Sequence, residues 1–319
     1  MPLARKRQIC LTDTPYYHCV SRCVRRAYLC GKDNVTGKSF EHRRQWVEDR
    51  LLFLSTVFAI DVCAYAIMSN HSHVVLHVNV NDANHWTDKQ VCARWHKLHK
   101  GTLLTQQFLS SETTSFSAPE LDSLQATLSI YRQRLMDISW FMRELNEPIA
   151  RKANHEDQCT GHFWEGRFKS QALLDEHAIA ACMVYVDLNP IRAKLATTPE
   201  TSKHTSVRRR IIDLKHGKQP STLMPFLSNV LTRQTTVIPF NLIDYLKLVD
   251  LSGRSLHPTK SGAINMNQSP ILQRLGFDEQ TWNTLFSSFE ETFSVAAGQN
   301  DTLKSYKRRR RHKRLVGSI

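Results

Sequence analysis

Residues 61–80 read DVCAYAIMSNHSHVVLHVNV. It contains two strand-like runs, Asp61–Met68 and His71–Val80, separated by the pair Ser69-Asn70. A short polar pair between two such runs is typical of a tight turn. The stretch therefore predicts an antiparallel hairpin.

The segments around the hairpin alternate between strand and helix patterns. Upstream, Tyr16–Val24 predicts a strand. A helix is predicted after Ser39 as N-cap, because apolar side chains recur at helical spacing at Val47, Leu51, Leu54 and Phe58. Downstream, the patterns predict a helix over 121–145, a short basic-aromatic strand within 161–174, and a helix from Asp175 to about Leu195. This order predicts an α+β fold in which helices back an antiparallel sheet.

A polar run from Thr197-Thr198-Pro199 onward predicts a domain edge. We therefore divide the chain into a core over 1–199, an α-rich region over 200–303 and a basic tail over 304–319. Helical spacing supports the middle unit at Tyr245, Leu248 and Val249, and again at Trp282, Leu285, Phe289 and Phe293. The core also contains an insert rich in Trp and His at about 81–115, for which the sequence indicates no role.

The charge of the chain narrows the choice of partners. Its 319 residues carry a formal net charge of +14, and residues 304–314 contain many Lys and Arg side chains and no acidic one. A basic excess of this size favours a polyanion, either nucleic acid or an anionic membrane surface. A basic tail taken alone is most often a solvated, disordered arm, and contact with nucleic acid is the next interpretation.

Several classes of protein are disfavoured by the composition. No apolar run is long enough to span a membrane, so we expect no membrane partner. The basic N-terminus lacks the apolar segment of a signal peptide. The eight cysteines are scattered without a Cys-x-x-Cys pair, which favours reduced thiols over zinc ligands. These features predict a cytoplasmic protein.

The sharpest local pattern is His71-Ser72-His73 inside the second strand-like run. Because strand side chains alternate, the two histidines share a face and Ser72 points away. Two imidazoles in this arrangement can bind one divalent cation. Taken alone, such a pair is more often structural, and a metal site needs a third ligand from elsewhere. His77 shares the face but lies too far along the strand.

The last predicted helix of the core carries Tyr185 and Asn189, which are four residues apart and so share a helical face. Pro190 disfavours helical geometry at Asn189 and places it near a kink or a helix end, where an amide can point at a ligand. Each feature also has an ordinary explanation. A tyrosine is most often a packed aromatic, and Asn-Pro is a common turn signal.

The segment 161–169 (GHFWEGRFK) interleaves aromatic and basic side chains. Single-stranded nucleic acid binds to such surfaces, because bases stack on the rings and cations follow the backbone. Trp164, Arg167 and Lys169 are therefore candidate DNA contacts, whereas Phe163 and Phe168 fit a strand facing the core equally well. Further candidates for phosphate contact are Arg208, Arg209 and Arg210, together with Arg308, Arg309, Arg310 and Arg311 in the tail.

Three motifs follow one another along the chain: MSNHSHVVLHV (68–78), GHFWEGRFKSQALLDE (161–176) and YVDLNPIRAKL (185–195). In this order they resemble the motifs of the HUH single-tyrosine transposases, in particular the long form of the REP-associated tyrosine transposases. Segments 16–26, 137–154 and 245–254 extend the resemblance over most of the chain. The sequence departs from the family at Ser72, where a hydrophobic residue is usual, and at Ser69, where proline is common.

The resemblance implies a ferredoxin-like sheet and a role for each motif residue. His71 and His73 match paired metal ligands, Asn189 matches the polar residue that completes the metal site, and Tyr185 matches the nucleophile. The implied cofactor is Mg²⁺ or Mn²⁺. The implied reaction is cleavage and rejoining of single-stranded or hairpin DNA through a 5′-phosphotyrosine. A nucleoid-associated protein follows, as a monomer or a homodimer.

Three other functions remain open at this level. A descendant of the same fold could bind single-stranded nucleic acid without cutting it. A hydrolase could use a metal-bound water and leave Tyr185 structural. The basic-aromatic segment could also bind RNA, since it does not distinguish the sugars.

Overall fold

The computed structural model describes residues 8–24, 29–33, 37–110, 116–216, 218–227, 236–255, 296–297 and 300–310. In chain order the helices are α1 (His42–Val57), α2 (Val80–His85), α3 (Asp88–His96), α4 (Leu103–Ser110), α5 (Ala118–Leu135), α6 (Ile138–Glu156), α7 (Glu176–Arg192), α8 (Ser206–Leu214), α9 (Leu242–Ser255) and α10 (Asn300–Arg310). No helix in these ranges is both long enough and apolar enough to cross a membrane.

Four antiparallel strands form the main sheet: β1 (Tyr16–Arg22), β2 (Ile60–Ile67), β3 (His71–Val78) and β4 (Lys169–Leu173). Their order across the sheet is β2-β3-β1-β4, so the predicted hairpin lies on one side and β1 lies between β3 and β4. This is the ferredoxin-like order. The predicted α+β class, an antiparallel sheet backed by helices, is confirmed.

The register of β1 brings polar residues from three strands onto one face. Val20 lies opposite His73 on β3, and His18 lies opposite Gln171 on β4. Residues opposite each other, and residues two apart on one strand, point to the same side of a sheet. His18, His73 and Gln171 therefore share a face.

Helices cover both faces of the sheet. On the face opposite His73, α1 and α6 reach the strands through two side-chain hydrogen bonds. The Tyr65 hydroxyl donates to Glu48 Oε1 at 2.5 Å, and Asn146 Nδ2 donates to Ser21 Oγ at 2.8 Å. Helix α7 packs on the face that carries His73 and is buried along nearly its whole length.

Two of the predicted helices begin or end at different residues in the structure. The helix expected over 121–145 is divided into α5 and α6 at Met136-Asp137. Asp137 accepts hydrogen bonds from the backbone N–H of Ser139 and Trp140, so it caps a new helix instead of continuing the old one. Helix α1 begins at His42, three residues after the predicted Ser39 cap. The insert at about 81–115 contains the short helices α2, α3 and α4, of which α3 and α4 pack against each other.

The chain after α7 returns to the core at several points. A 3₁₀ turn at Pro199–Thr201 leads to α8, and β5 (Phe226–Leu227) pairs with β6 (Ile238–Asn241). Helix α9 packs against α7, and β7 (Ala296–Ala297) pairs with β4 in parallel. The predicted helical positions Trp282, Leu285, Phe289 and Phe293 lie outside the described residues.

Candidate functional site

Four side chains that the sequence singled out lie together between β3 and α7. The ring centroids of His71 and His73 are 4.7 Å apart. The ring of Tyr185 lies 5.7 Å from the His73 ring and nearly perpendicular to it. Asn189 Nδ2 lies 3.4 Å from His73 Nε2, although these residues are 116 positions apart in the chain. We call these four residues the imidazole-tyrosine cluster.

The local structure explains how each element presents its pair. Strand alternation puts His71 and His73 on the same face of β3. Asp175 caps α7 by accepting the backbone N–H of Ala178 at 2.8 Å, as predicted, and this fixes where the helix begins. From that start, the four-residue spacing turns Tyr185 and Asn189 to the same side. Pro190 lies inside the last turn of the helix, near its end.

Further polar side chains, which the sequence analysis did not single out, surround the two β3 histidines. His18 Nε2 lies 3.0 Å from His73 Nδ1, and the two rings stack with centroids 5.2 Å apart. His18 Nδ1 lies 3.3 Å from Gln171 Oε1. On the other side, His71 Nδ1 lies 2.6 Å from Asn70 Oδ1. Both histidines of the pair thus have their Nδ1 atom engaged by a neighbouring polar atom.

The three imidazoles are held in the neutral form. Burial lowers the pKa of His18 to about 4. Burial, with a smaller contribution from the charge of Arg22, also lowers the pKa of His71 to about 4. Burial and then the neighbouring His18 hold the pKa of His73 well below its usual range. A neutral imidazole keeps a nitrogen lone pair, which a metal ligand requires.

The cluster approaches the surface on one side. His73 is 1% exposed and Tyr185 is 8% exposed, whereas His71 and Asn189 are only half-buried. The guanidinium carbon of Arg192 lies 5.0 Å from the centre of the Tyr185 ring. A ligand that approaches past His71 and Asn189 therefore meets neutral imidazoles, an amide and a nearby positive charge.

A metal ion in this cluster would need the Asn189 amide as a ligand. Within the described residues, no group of three or more His, Cys, Asp and Glu side chains is placed to hold a metal ion. Two imidazole nitrogens and one amide oxygen form a donor set that suits a divalent first-row metal. Asn189 now presents Nδ2 to His73, so the amide would turn over on binding. The binding of a metal ion by this cluster stays a prediction.

Comparison with known proteins adds one distant likeness. No protein-family model matches the chain, and no curated protein matches it. Among solved structures, the chain is similar to one described as a REP-associated tyrosine transposase bound to a REP hairpin. The identity is 10%, the match covers 74% of this chain and 99% of that chain, and the TM-score is 0.38. At this identity and TM-score the likeness is a distant one.

The basic-aromatic segment divides into buried rings and exposed cations. Phe163 and Phe168 are buried, in agreement with the alternative that they face the core. Trp164 is half-buried, and its indole Nε1 donates to the Asn146 carbonyl at 2.9 Å. Arg167 and Lys169 are exposed. The two cations are therefore accessible to a phosphate, and DNA contact through them stays a prediction.

The prediction that Arg210 contacts phosphate is corrected by the burial of its side chain. Arg210 is fully buried and donates to the backbone carbonyls of Cys63 and Met224 at 2.9 and 3.0 Å. It therefore does not reach a bound phosphate, contrary to the prediction. Arg208 and Arg209 are half-buried, and Arg209 lies 3.7 Å from Glu48 in an ion pair.

The candidate contacts in the tail fall at the limit of the described residues. Arg308, Arg309 and Arg310 belong to the last turn of α10. Arg311 lies outside the described residues. Helix α10 is attached to the start of α7, because Thr302 Oγ1 donates to Oδ2 of the α7 N-cap residue Asp175 at 2.9 Å. The start of the basic tail is thereby fixed near the first residue of α7.

Proposed function

We propose that the protein is a metal-dependent single-tyrosine transposase that cuts and rejoins single-stranded DNA, with hairpin or palindromic elements as substrate. One observation supports the proposal above all others. Tyr185 lies in one cluster with His71, His73 and Asn189, from two elements far apart in sequence. Packing alone accounts for a buried tyrosine. It gives no reason to surround that tyrosine with polar groups whose burial costs free energy.

In the proposed reaction, the phenol oxygen of Tyr185 attacks the phosphorus of a phosphodiester. A bond forms between this oxygen and phosphorus, and the bond from phosphorus to the 3′ oxygen of the preceding nucleotide breaks. The phenol loses its proton and the departing oxygen gains one, so the products are a 5′-phosphotyrosine and a free 3′-OH. Because the phosphoester is conserved, a 3′-OH can reverse the step without ATP.

His71, His73 and Asn189 would hold the divalent cation, either Mg²⁺ or Mn²⁺. When bound, the cation supplies positive charge against the charge that builds on the phosphoryl oxygens. Imidazole ligands favour Mn²⁺, and cellular abundance favours Mg²⁺. The chain itself contributes the neutral imidazoles and the fixed phenol ring. Arg192 adds a positive charge near the ring that attracts the phosphate.

The exposed Arg167 and Lys169 are the best-placed candidates to follow the DNA backbone. The basic end of α10 would add attraction that does not depend on sequence. Trp164 is partly accessible, but its indole N–H is already donated to Asn146, which fixes the ring. A fixed aromatic ring can stack on a base at little entropic cost.

The proposal is tested by incubating the full chain with a hairpin-containing single DNA strand, labelled at either end, with Mn²⁺ or with EDTA. We expect the 3′ label in a protein adduct that survives denaturation, and the 5′ label in a shorter free strand that ends in a 3′-OH. EDTA should remove both products. This pattern of labels is specific for a protein joined to the 5′ end of the cleaved DNA.

Two results would overturn the proposal. Metal-dependent cleavage without an adduct would indicate a hydrolase that uses water. Binding without cleavage would indicate a non-catalytic single-strand-binding protein. A matching RNA strand, added as competitor, separates DNA from RNA as the partner.

A further inference from the structure

His18 is a buried imidazole to which the proposed reaction assigns no role. It is 2% exposed, and it lies in the middle of β1 with its two ring nitrogens near His73 and Gln171. A buried polar ring costs free energy unless its nitrogens have partners. Which of the two His18 nitrogens carries the proton therefore decides whether His18 donates a hydrogen bond to His73 or to Gln171.

The contacts along the row Gln171–His18–His73–Asn189 point to one direction of proton donation. Asn189 Nδ2 can only donate, so His73 Nε2 accepts and has no proton. A neutral His73 then carries its proton on Nδ1 and donates it to His18 Nε2. A neutral His18 in turn carries its proton on Nδ1 and donates it to Gln171 Oε1, which can only accept. The amides of Asn189 and Gln171, at the two ends of the row, thus indicate the same direction of hydrogen-bond donation, from Asn189 toward Gln171.

This direction leaves the lone pair of His73 Nε2 on the side of Asn189. In metal sites, a ligating histidine usually donates its other ring N–H to an acceptor, which fixes both tautomer and ring orientation. His71 shows the same arrangement, because its Nδ1 lies 2.6 Å from Asn70 Oδ1. His18 Nε2 is thus placed to accept the Nδ1 proton of His73, as Asn70 Oδ1 is placed to accept that of His71.

We propose that His18, itself held by Gln171, is a positioning residue that accepts the Nδ1 proton of His73 and so presents His73 Nε2 to the metal ion. The role toward a metal rests on the proposed function, whereas the tautomer is inferred from the placement of the two amides at the ends of the row. His18 touches neither the DNA nor the metal in this account. It acts through His73.

Two substitutions separate this role from simple packing. His18→Phe fills the space but removes the acceptor, whereas His18→Gln offers an amide oxygen to His73 and keeps a donor for Gln171. The Mn²⁺ affinity of the full chain, measured by electron paramagnetic resonance, should fall about 10–100-fold in His18→Phe. It should stay within a few-fold of the wild type in His18→Gln. His73→Ala gives the Mn²⁺ affinity that remains when the His73 side chain is absent.

A second readout needs neither metal nor DNA. Side-chain ¹⁵N spectra of the metal-free chain report which nitrogen of each histidine is protonated, and His73→Ala identifies the His73 signal. We expect His73 protonated on Nδ1 in the wild type and in His18→Gln. The wild-type spectrum carries this test even if His18→Phe does not fold.

The outcomes distinguish the two proposals. The positioning role is overturned if wild-type His73 carries its proton on Nε2. It is also overturned if His18→Phe binds Mn²⁺ as tightly as the wild type while His73→Ala binds weakly, and the proposed function survives that result. If the wild type binds no Mn²⁺ and forms no adduct, the proposed function fails and the metal-positioning role fails with it.

Discussion

Helix α7 carries two buried polar clusters that face different neighbours. Tyr185 and Asn189 face the sheet and His73. Asp187, which lies between them in sequence, faces α8 and α9. Its carboxyl group accepts hydrogen bonds from Ser206 Oγ at 2.5 Å, from the Val207 backbone N–H at 3.0 Å and from the Tyr245 hydroxyl at 2.5 Å. We call this second set the Asp187 cluster.

The two clusters differ in where their hydrogen bonds lead. In the Asp187 cluster, three donors of the chain converge on one fully buried carboxyl group, and Ser206, Val207 and Tyr245 are themselves fully buried. In the imidazole-tyrosine cluster, the row of contacts from Gln171 through His18 and His73 ends at Asn189, which is half-buried. Burial of polar groups alone therefore does not mark a functional site.

The largest effect is expected from a matched pair of tyrosine substitutions. Tyr185→Phe should abolish the covalent adduct, because the attacking oxygen is gone, while DNA binding and the melting temperature change little. Tyr245→Phe should keep the adduct but lower the free energy of unfolding by about 1–2 kcal/mol, since Asp187 loses one donor. Adduct formation on denaturing gels and urea unfolding provide the two measurements. Loss of the adduct in Tyr245→Phe alone would reverse our assignment of the clusters.

The next effect concerns stability. Asp187→Ala leaves Ser206, Val207 and Tyr245 without their acceptor, and each unsatisfied buried donor costs about 1–3 kcal/mol. We expect a loss of about 3–5 kcal/mol in the free energy of unfolding, measured by urea at pH 5. A loss below about 1 kcal/mol would show that the Asp187 cluster does not hold α8 and α9 onto α7.

The pH dependence of stability gives a sharper test of the same cluster. Burial raises the pKa of Asp187 from 3.8 to about 6 in the folded chain, against the opposing effect of its three hydrogen bonds. A raised carboxyl pKa stabilises the fold at low pH, and this stability is lost as the pH rises from about 3.8 to about 6. Relative to Asp187→Asn, which does not titrate, the wild type should lose about 2 kcal/mol between pH 4 and pH 7. A constant difference across this range would contradict the assignment.

The smallest effect concerns a residue outside both clusters. Arg167 is exposed, so Arg167→Ala should lower the affinity for single-stranded DNA a few-fold and leave stability unchanged. The slope of log affinity against log salt should fall by about 0.7, as expected for one lost phosphate contact. Binding isotherms at several salt concentrations measure it. An unchanged slope would exclude Arg167 from the DNA contact.

Much of the fold follows from local patterns in the sequence. The β2-β3 hairpin is predicted by two strand-like runs around Ser69-Asn70, and α7 is predicted by its Asp175 cap. The shared face of Tyr185 and Asn189 follows from helical spacing alone. That this face meets His73 was expected from the resemblance, because no local pattern connects residues 116 positions apart.

The parts that sequence reasoning missed depend on register and burial. His18 is only one strand residue among several until the pairing of β1 with β3 and β4 places it beside His73 and Gln171. The run of three arginines predicts a phosphate contact for Arg210, whereas the structure buries this side chain fully. The sequence does contain one signal, because Arg210 is three residues after the apolar Val207 and shares its helical face.

The most direct test of the central claim is to locate the phosphate on the protein. After reaction with hairpin DNA and Mn²⁺, nuclease and trypsin digestion should release the peptide 170–192, in which Tyr185 is the single tyrosine. We expect mass spectrometry to find this peptide carrying a nucleotide phosphate on Tyr185. A nucleotide phosphate on any other residue, or DNA cleaved while this peptide is recovered unmodified, would contradict it.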